Sequence, residues 1–212
     1  MFAIDTEQRR GNQLEKTKLV RIFDKQAAQY DKRREDPKQR KWREKLISSA
    51  AGDVLEIAVG AGANFPYYPS GVRITATDFS EGMLDNARKA AEHYRLNVNF
   101  ICSDTEELNF PEQSFDTVIS TLSMCSYQNP MMVLRNMRRW CKPDGKLLLM
   151  EHGISSKAVV SAVQKTLNPL LYRFTGCHHT RSIMDMIRGA DIKIEREESY
   201  WLNMLHVVWA RP

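Results

Sequence analysis

From Asp53 to His152 the chain keeps repeating one alternation, in which a short aliphatic or β-branched run ends in a polar or small residue and an amphipathic segment follows. The runs are DVLEIAV, RITATD, VNFICSD, FDTVIST and GKLLLMEH, and SEGMLDNARKAAEHY and NPMMVLRNMRRWC are the helical segments among them. Strand alternating with helix predicts a parallel sheet with helices on both faces. Nearer the C-terminus, IKIEREESYW and MLHVVWA alternate apolar and polar residues and lie close together, which predicts an antiparallel hairpin at the sheet edge. The expected architecture is α/β with seven strands, mostly parallel, the last antiparallel.

The flanks follow a different rhythm. Leu14, Leu19, Ile22, Phe23, Ala27 and Tyr30 recur near the helical period, Pro37 interrupts, and RKWREKLISSA reads as a second helix. Residues 1–50 are thus expected to form a helical lid on a ligand-binding domain spanning 51–212. Between strand five and the hairpin, KAVVSAVQKTLNPLLYRF reads as a helix ending at Asn168, broken before Pro169, and TRSIMDMIRGA as a shorter helix capped by Thr180.

At 212 residues and 42% hydrophobic, the chain can bury a full core without disulfides or metals. Cys102, Cys125, Cys141 and Cys177 form no CxxC pair, so neither a zinc cluster nor a disulfide framework is indicated and a reducing cytoplasm is expected. No apolar run of about 20 residues suggests a membrane span, and MFAIDTEQRRGNQLEKTK lacks the apolar stretch of a signal peptide. The net charge of +5 is concentrated between Arg9 and Lys45, where 14 Lys/Arg face 6 Asp/Glu. Such a block suits nucleic acid or an anionic membrane, but with only Tyr30 and Trp42 beside Phe23 it offers no base-stacking platform and reads as a solvated helical face.

The segment VLEIAVGAGANF follows the first strand, where a sheet of this kind binds its ligand. Gly60 and Gly62 bare the backbone for close approach and Ala58 keeps the first position small. A dinucleotide site calls for GxGxxG, whereas Ala63, Asn64 and Phe65 follow here, and Glu56 gives a phosphate nothing. A carboxylate suits a cationic, phosphate-free ligand such as S-adenosylmethionine.

The sequence resembles the class I S-adenosylmethionine-dependent methyltransferases, a Rossmann-like family, from about Phe23 to the C-terminus. LEIAVGAGANF is similar to their glycine motif, with Ala58 where many members have glycine, and Asp78 in TATDFSEGMLDNA matches the acidic residue that ends strand two and receives the ribose hydroxyls. CSDTEELNFPEQSFD places Asp104 and Thr105 at the family's adenine-side position, and FDKQAAQYD resembles an N-terminal FxxxAxxYD element whose Tyr30 would close over the methionine end. The cofactor set implied by the resemblance is Tyr30, Glu56, Ala58, Gly60, Gly62, Asn64, Asp78, Phe79, Met83, Asp104, Thr105 and Thr121, with no metal. Within the class, GAGANFPYYP, MCSYQNP, MEHG and GCHHTR look like the small-molecule branch that includes quinone-biosynthesis C-methyltransferases and the thiol-methylating methyltransferase-like 7 proteins.

Methyl transfer from a sulfonium is an in-line displacement that needs orientation and a dry site more than a catalytic side chain. A thiol or phenol acceptor must nevertheless lose a proton. His152, at the carboxyl end of strand five, is the candidate base. Tyr127, Cys177 and His178 are the candidate acceptor contacts, within a pocket expected between the lid and residues 154–181. The expected activity is methylation of a small, apolar thiol, quinone-like or lipid-like acceptor, with peripheral membrane contact open. Against the alternative of an RNA methyltransferase stands the absence of an NPPY-type tetrapeptide after strand four, where TLSM occurs, and against a non-catalytic module stand Glu56, Gly60, Gly62 and Asp78. The acceptor atom and the oligomeric state stay open at this level.

Overall fold

A computed structural model describes the backbone from Phe2 to Pro212 and the side chains from Leu14 onward; Met1 and the lid's first side chains, including the start of the basic block, lie outside the described residues. Two helices, α1 (Phe2–Lys32) and α2 (Pro37–Ile47), precede β1 (Asp53–Ile57). There follow β2 (Arg73–Asp78), α3 (Glu81–His93), β3 (Val98–Cys102), β4 (Phe115–Thr121), α4 (Pro130–Trp140) and β5 (Cys141–His152). The chain closes with α5 (Ala158–Thr175), α6 (Ile183–Gly189), β6 (Lys193–Tyr200) and β7 (Leu205–Arg211). The seven strands form one sheet in the order β3-β2-β1-β4-β5-β7-β6. β1 to β5 run parallel, and β7 slots between β5 and β6, antiparallel to both.

The central strands are apolar along their length because both faces are covered. Leu147 and Leu149 face a cluster with Trp140, Met137 and Ile187 of α4 and α6, while Leu148 and Met150 face Leu46 of α2 and Leu84 and Ala87 of α3. Local chemistry sets the helix starts. Asp36 accepts from the Lys38 amide with Pro37 in the first turn, Ser80 accepts from Met83, and Asn129 accepts from Met132.

Strand ends shift by one or two residues from the sequence reading, and three boundaries differ further. Helix α5 runs through Pro169 to Thr175 instead of breaking. Proline forfeits one helical bond there, but α5 lies at the surface, where the freed Lys165 carbonyl meets water. Helix α6 starts at Ile183 rather than after a Thr180 cap, since the Arg181 carbonyl is taken by the Ile154 amide at 2.9 Å and holds that stretch extended. Strand β5 reaches back to Cys141, which pairs with Phe115 across a register shift.

Helix α1 lies on α3 and touches α5 at its C-terminal cap, Gly176. This glycine has φ +73°, and a Cβ there would sit 2.9 Å from Leu19 Cδ2 and 3.1 Å from Phe23 Cε2. Gly71 also has a positive φ, +87°, with nothing within 4 Å of its Cβ position. Both Gly→Ala changes should cost roughly 1 kcal/mol of backbone strain, and only Gly176→Ala should lose about 1–3 kcal/mol more through overpacking. Equal losses in urea unfolding would refute this seat for the lid.

Candidate active site

The strand order reverses between β1 and β4, and outside their carboxyl ends lies a cavity of about 750 Å³. The β1 loop lines it with Ala58, Val59, Gly60 and Ala61, β2 with Asp78 and Phe79, β4 with Thr121, Leu122 and Ser123, and β5 with His152. Helices α1 and α2 roof it through Phe23, Tyr30, Gln39 and Arg43.

The loop's two glycines serve different ends. Gly60 has φ +56° and nothing within 4 Å of its Cβ position, so its bareness faces open space. Gly62 has φ +79°, and a Cβ there would meet the Phe65 ring at 2.8 Å, so its bareness is a packing demand. Ala58 holds φ 49°, a conformation glycine adopts more cheaply.

Asp78 is buried and anchors the loop, one oxygen accepting from the Gly60 amide at 2.9 Å and the other from the Ser80 amide at 2.9 Å. Burial pushes its carboxyl up to about 6, opposed by hydrogen bonds from Ser80, Gly60 and Phe79. Each oxygen keeps lone-pair capacity toward the cavity, so the carboxylate suits a pair of ligand hydroxyls, while its charge rejects a phosphate. The residues present therefore fit a nucleoside without phosphates.

Glu56 and Asn64, expected at the cofactor, stand one layer behind the cavity wall. Glu56 accepts from Asn64 Nδ2 at 2.8 Å and from the Tyr68 hydroxyl at 2.6 Å, and burial pushes it up to about 7. Asn64 Oδ1 accepts from Arg43 Nη1 at 2.7 Å, and Thr121 Oγ1 accepts from both Arg43 and Asn64 at 3.1 Å. Arg43 also donates to Gln39 Oε1 at 2.8 Å. Arg43, missed in the sequence, is thus the charged side chain that carries this network to the cavity. Its signal was helical phase, since it falls three and four residues before the buried Leu46 and Ile47.

A second residue the sequence reading missed, Arg34, staples the lid. Its Nε donates to the Ala61 carbonyl at 2.9 Å, and its Nη2 reaches Asp31 and the Asn86 carbonyl. Glu151 is a third: buried, it takes the Ser120 hydroxyl at 2.6 Å and the amides of Ser123 and Met124 at 3.0 and 3.1 Å, which shapes the loop after β4.

Met83 and Phe79 line the main cavity, and the Phe79 ring meets Phe23 edge-on at 5.3 Å. Asp104 and Tyr127 instead line a smaller lobe of about 200 Å³ that shares Phe79 and Ser126 with the first. Asp104 pairs there with Lys16 of α1 at 2.7 Å. Thr105 is buried and accepts from the Tyr127 hydroxyl at 3.2 Å, which sets Thr105 behind the wall of the lobe and Tyr127 on it.

The far end of the main cavity carries His152, Cys177 and His179. The His152 and His179 rings stack at 4.8 Å. Cys177 is held below the usual thiol range by hydrogen bonds from Cys125 and His152, against desolvation. His178 does not line the cavity; it stacks on Tyr172 at 4.1 Å. Arg181 donates to the carbonyls of Met124 and Tyr127.

Residues 55–149 match the methyltransferase-domain family. The phosphatidylethanolamine N-methyltransferase of Cereibacter sphaeroides is 33% identical over 123 residues, 57% of this chain and 61% of that protein. The thiol S-methyltransferase TMT1B of Rattus norvegicus is 30% identical over 142 residues, 65% of this chain and 58% of that one. The chain thus spans about three fifths of the length of these relatives. Among solved structures, the S-adenosylmethionine-dependent methyltransferase of Mesorhizobium loti superposes with a TM-score of 0.62 at 17% identity, over 82% of this chain and 97% of that one. The chain therefore has the fold of the solved methyltransferases, and its residues 55–149 are similar to the methyltransferase-domain family.

Proposed function

We propose that the protein transfers the methyl group of S-adenosylmethionine to a small apolar acceptor, with a thiol as the first candidate. The observation that carries this reading is Asp78, a carboxylate with acceptor capacity on both oxygens beside the bare Gly60, at one end of a cavity whose other end holds His152 and Cys177. When bound, the cofactor supplies an electrophilic methyl on a sulfonium. Asp78 would take its ribose hydroxyls, Phe79 and Met83 would offer its base an apolar surface, and Arg43 and Thr121 would hold its amino-acid end. Tyr30 and Phe23, on the helix that roofs the cavity, would exclude water from it. His152 accepts the acceptor's proton as the new bond to the methyl forms. The names of the thiol and phospholipid methyltransferases among the relatives support an apolar acceptor.

The basic block supports a small acceptor over RNA, because several of its charges are engaged within the fold. Lys16 binds Asp104 and Glu107, Arg34 and Arg43 are tied as above, and Lys45 binds Glu198. No helix among the described residues is long and apolar enough to cross a membrane. Helix α5, though, exposes Val159, Val163, Leu167, Leu170 and Phe174 on one side, carries Lys165 and Arg173 with no acidic residue, and adjoins the exposed Trp201 and Leu202. That combination supports peripheral contact with an anionic lipid surface. Four free cysteines suit a reducing, cytoplasmic setting.

Calorimetric titration with S-adenosylmethionine and S-adenosylhomocysteine tests the cofactor assignment. Asp78→Ala should weaken both by about 30-fold or more, the loss of hydrogen bonds to a charged acceptor. Since burial raises the Asp78 pKa to about 6, wild-type affinity should hold above that pH and fall as pH drops through it, when the carboxylate gains a proton and loses an acceptor. Full affinity in the variant would sink the assignment. For the lipid surface, wild type should co-sediment with vesicles rich in phosphatidylserine and Val163→Glu/Leu167→Glu should not; equal recovery of both rules α5 out as the contact.

A further inference from the structure

Cys125, His152 and Cys177 come from three separate stretches: the loop after β4, the last residue of β5 and the loop between α5 and α6. Their Sγ and ring-nitrogen atoms all lie within 4.8 Å of one another. Simple core packing accounts for two buried cysteines, but not for an imidazole set beside both at the wall of a cavity. The three stretches are also fastened to one another. Arg181 donates to the carbonyls of Met124 and Tyr127, on either side of Cys125. The His178 amide donates to the Cys125 carbonyl at 2.9 Å, and the His179 amide to Asn168 Oδ1 at 2.8 Å. Beside His152, the Ile154 amide meets the Arg181 carbonyl, and a Cβ on Gly153 would come within 2.4 Å of that same oxygen. Side chains so held are presented together by the fold.

We propose that Cys125, Cys177 and His152 bind one thiophilic divalent cation, with Zn²⁺ as the type, leaving its fourth position open to the cavity. Two thiolates and one imidazole are a normal zinc donor set, and three protein ligands with an open position mark sites that act on a substrate. Zinc–sulfur and zinc–nitrogen bonds of about 2.3 and 2.0 Å put tetrahedral ligands roughly 3.5 Å apart, within reach of side-chain rotation from the present spacing. His179, stacked on His152, borders the open side. Because the wall beside the ion is the acceptor end of the cavity, the ligand that suits the open position is a thiol. This part rests on the methyltransferase reading. With the ion bound, His152 serves as a ligand in place of the base role given above, so the thiol binds as thiolate and releases its proton to solvent. Its sulfur then forms a bond to the methyl carbon, the carbon–sulfonium bond breaks with its electron pair passing to the departing S-adenosylhomocysteine sulfur, and the thioether leaves.

The test is titration of the reduced, chelator-treated full chain with Co²⁺ alone, followed by Zn²⁺. A thiolate-to-cobalt charge-transfer band that saturates at one equivalent and is erased by Zn²⁺ is expected. Cys125→Ser and Cys177→Ser should each abolish stoichiometric binding, His152→Ala should weaken it at least tenfold, and Cys102→Ser and Cys141→Ser should leave it unchanged. Calorimetry with S-adenosylmethionine on the same samples reports folding and the cofactor site independently. A wild type that binds the cofactor but gives no band overturns the metal site and leaves the methyltransferase reading standing; a band without cofactor binding does the reverse. A band that survives both serine variants also overturns the site. If a variant fails to fold, the wild-type titration decides.

Discussion

A buried guanidinium fastens the active region together. Arg43 enters the core from α2, and its cost of burial is offset only because Gln39, Asn64 and Thr121 accept from it and Glu56 lies just beyond. Those bonds join the lid, the turn after the glycine loop and the end of β4 in one network. With α2 placed, the cavity has a roof; with Asn64 placed, the loop that bares Gly60 is fixed. Removing one partner strands the others, since Glu56 already carries a raised pKa from burial and relies on Asn64 and Tyr68 to hold it. Charge buried in this way stabilises little and specifies much.

The sequence made the sheet legible because strands buried on both faces read as unbroken apolar runs, and FDTVIST and RITATD coincide with β4 and β2 to the residue. The hairpin was readable from its alternation, although its insertion, with β7 inside β6, is a matter of long-range pairing. Pro169 misled because proline's local cost was weighed without knowing that the helix lies at the surface. Thr180 misled because a backbone bond from Ile154, 26 residues away in the chain, decides that segment. Position in a motif singled out Asp78 and Gly60, which line the cavity, yet it could not tell a side chain facing the cavity from one facing the layer behind, as with Glu56 and Asn64. Arg43, Arg34 and Glu151 belong to no local pattern of polar residues; only the fold gives them partners.

The two ends of the cavity are built on different principles. At the β1 and β2 end, recognition rests on backbone amides and one carboxylate, all close to the sheet and fixed by its register. At the other end, the side chains come from loops that the sheet does not position, and their order derives from Arg181, Asn168 and stacked imidazoles. On the proposed reading the cofactor takes the rigid end and the acceptor the loop-built end, the division of labour expected when one fold serves many substrates.

Consecutive residues of α1 grip opposite sides of the cavity. Glu15 accepts from the Tyr172 hydroxyl of α5 at 2.8 Å, beside the cysteine-bearing loop, and Lys16 binds Asp104 at 2.7 Å, at the smaller lobe. A displacement of this turn that releases one hold strains the other. One turn of α1 thereby couples the two flanks of the cavity, so neither flank shifts against the helix without disturbing the other.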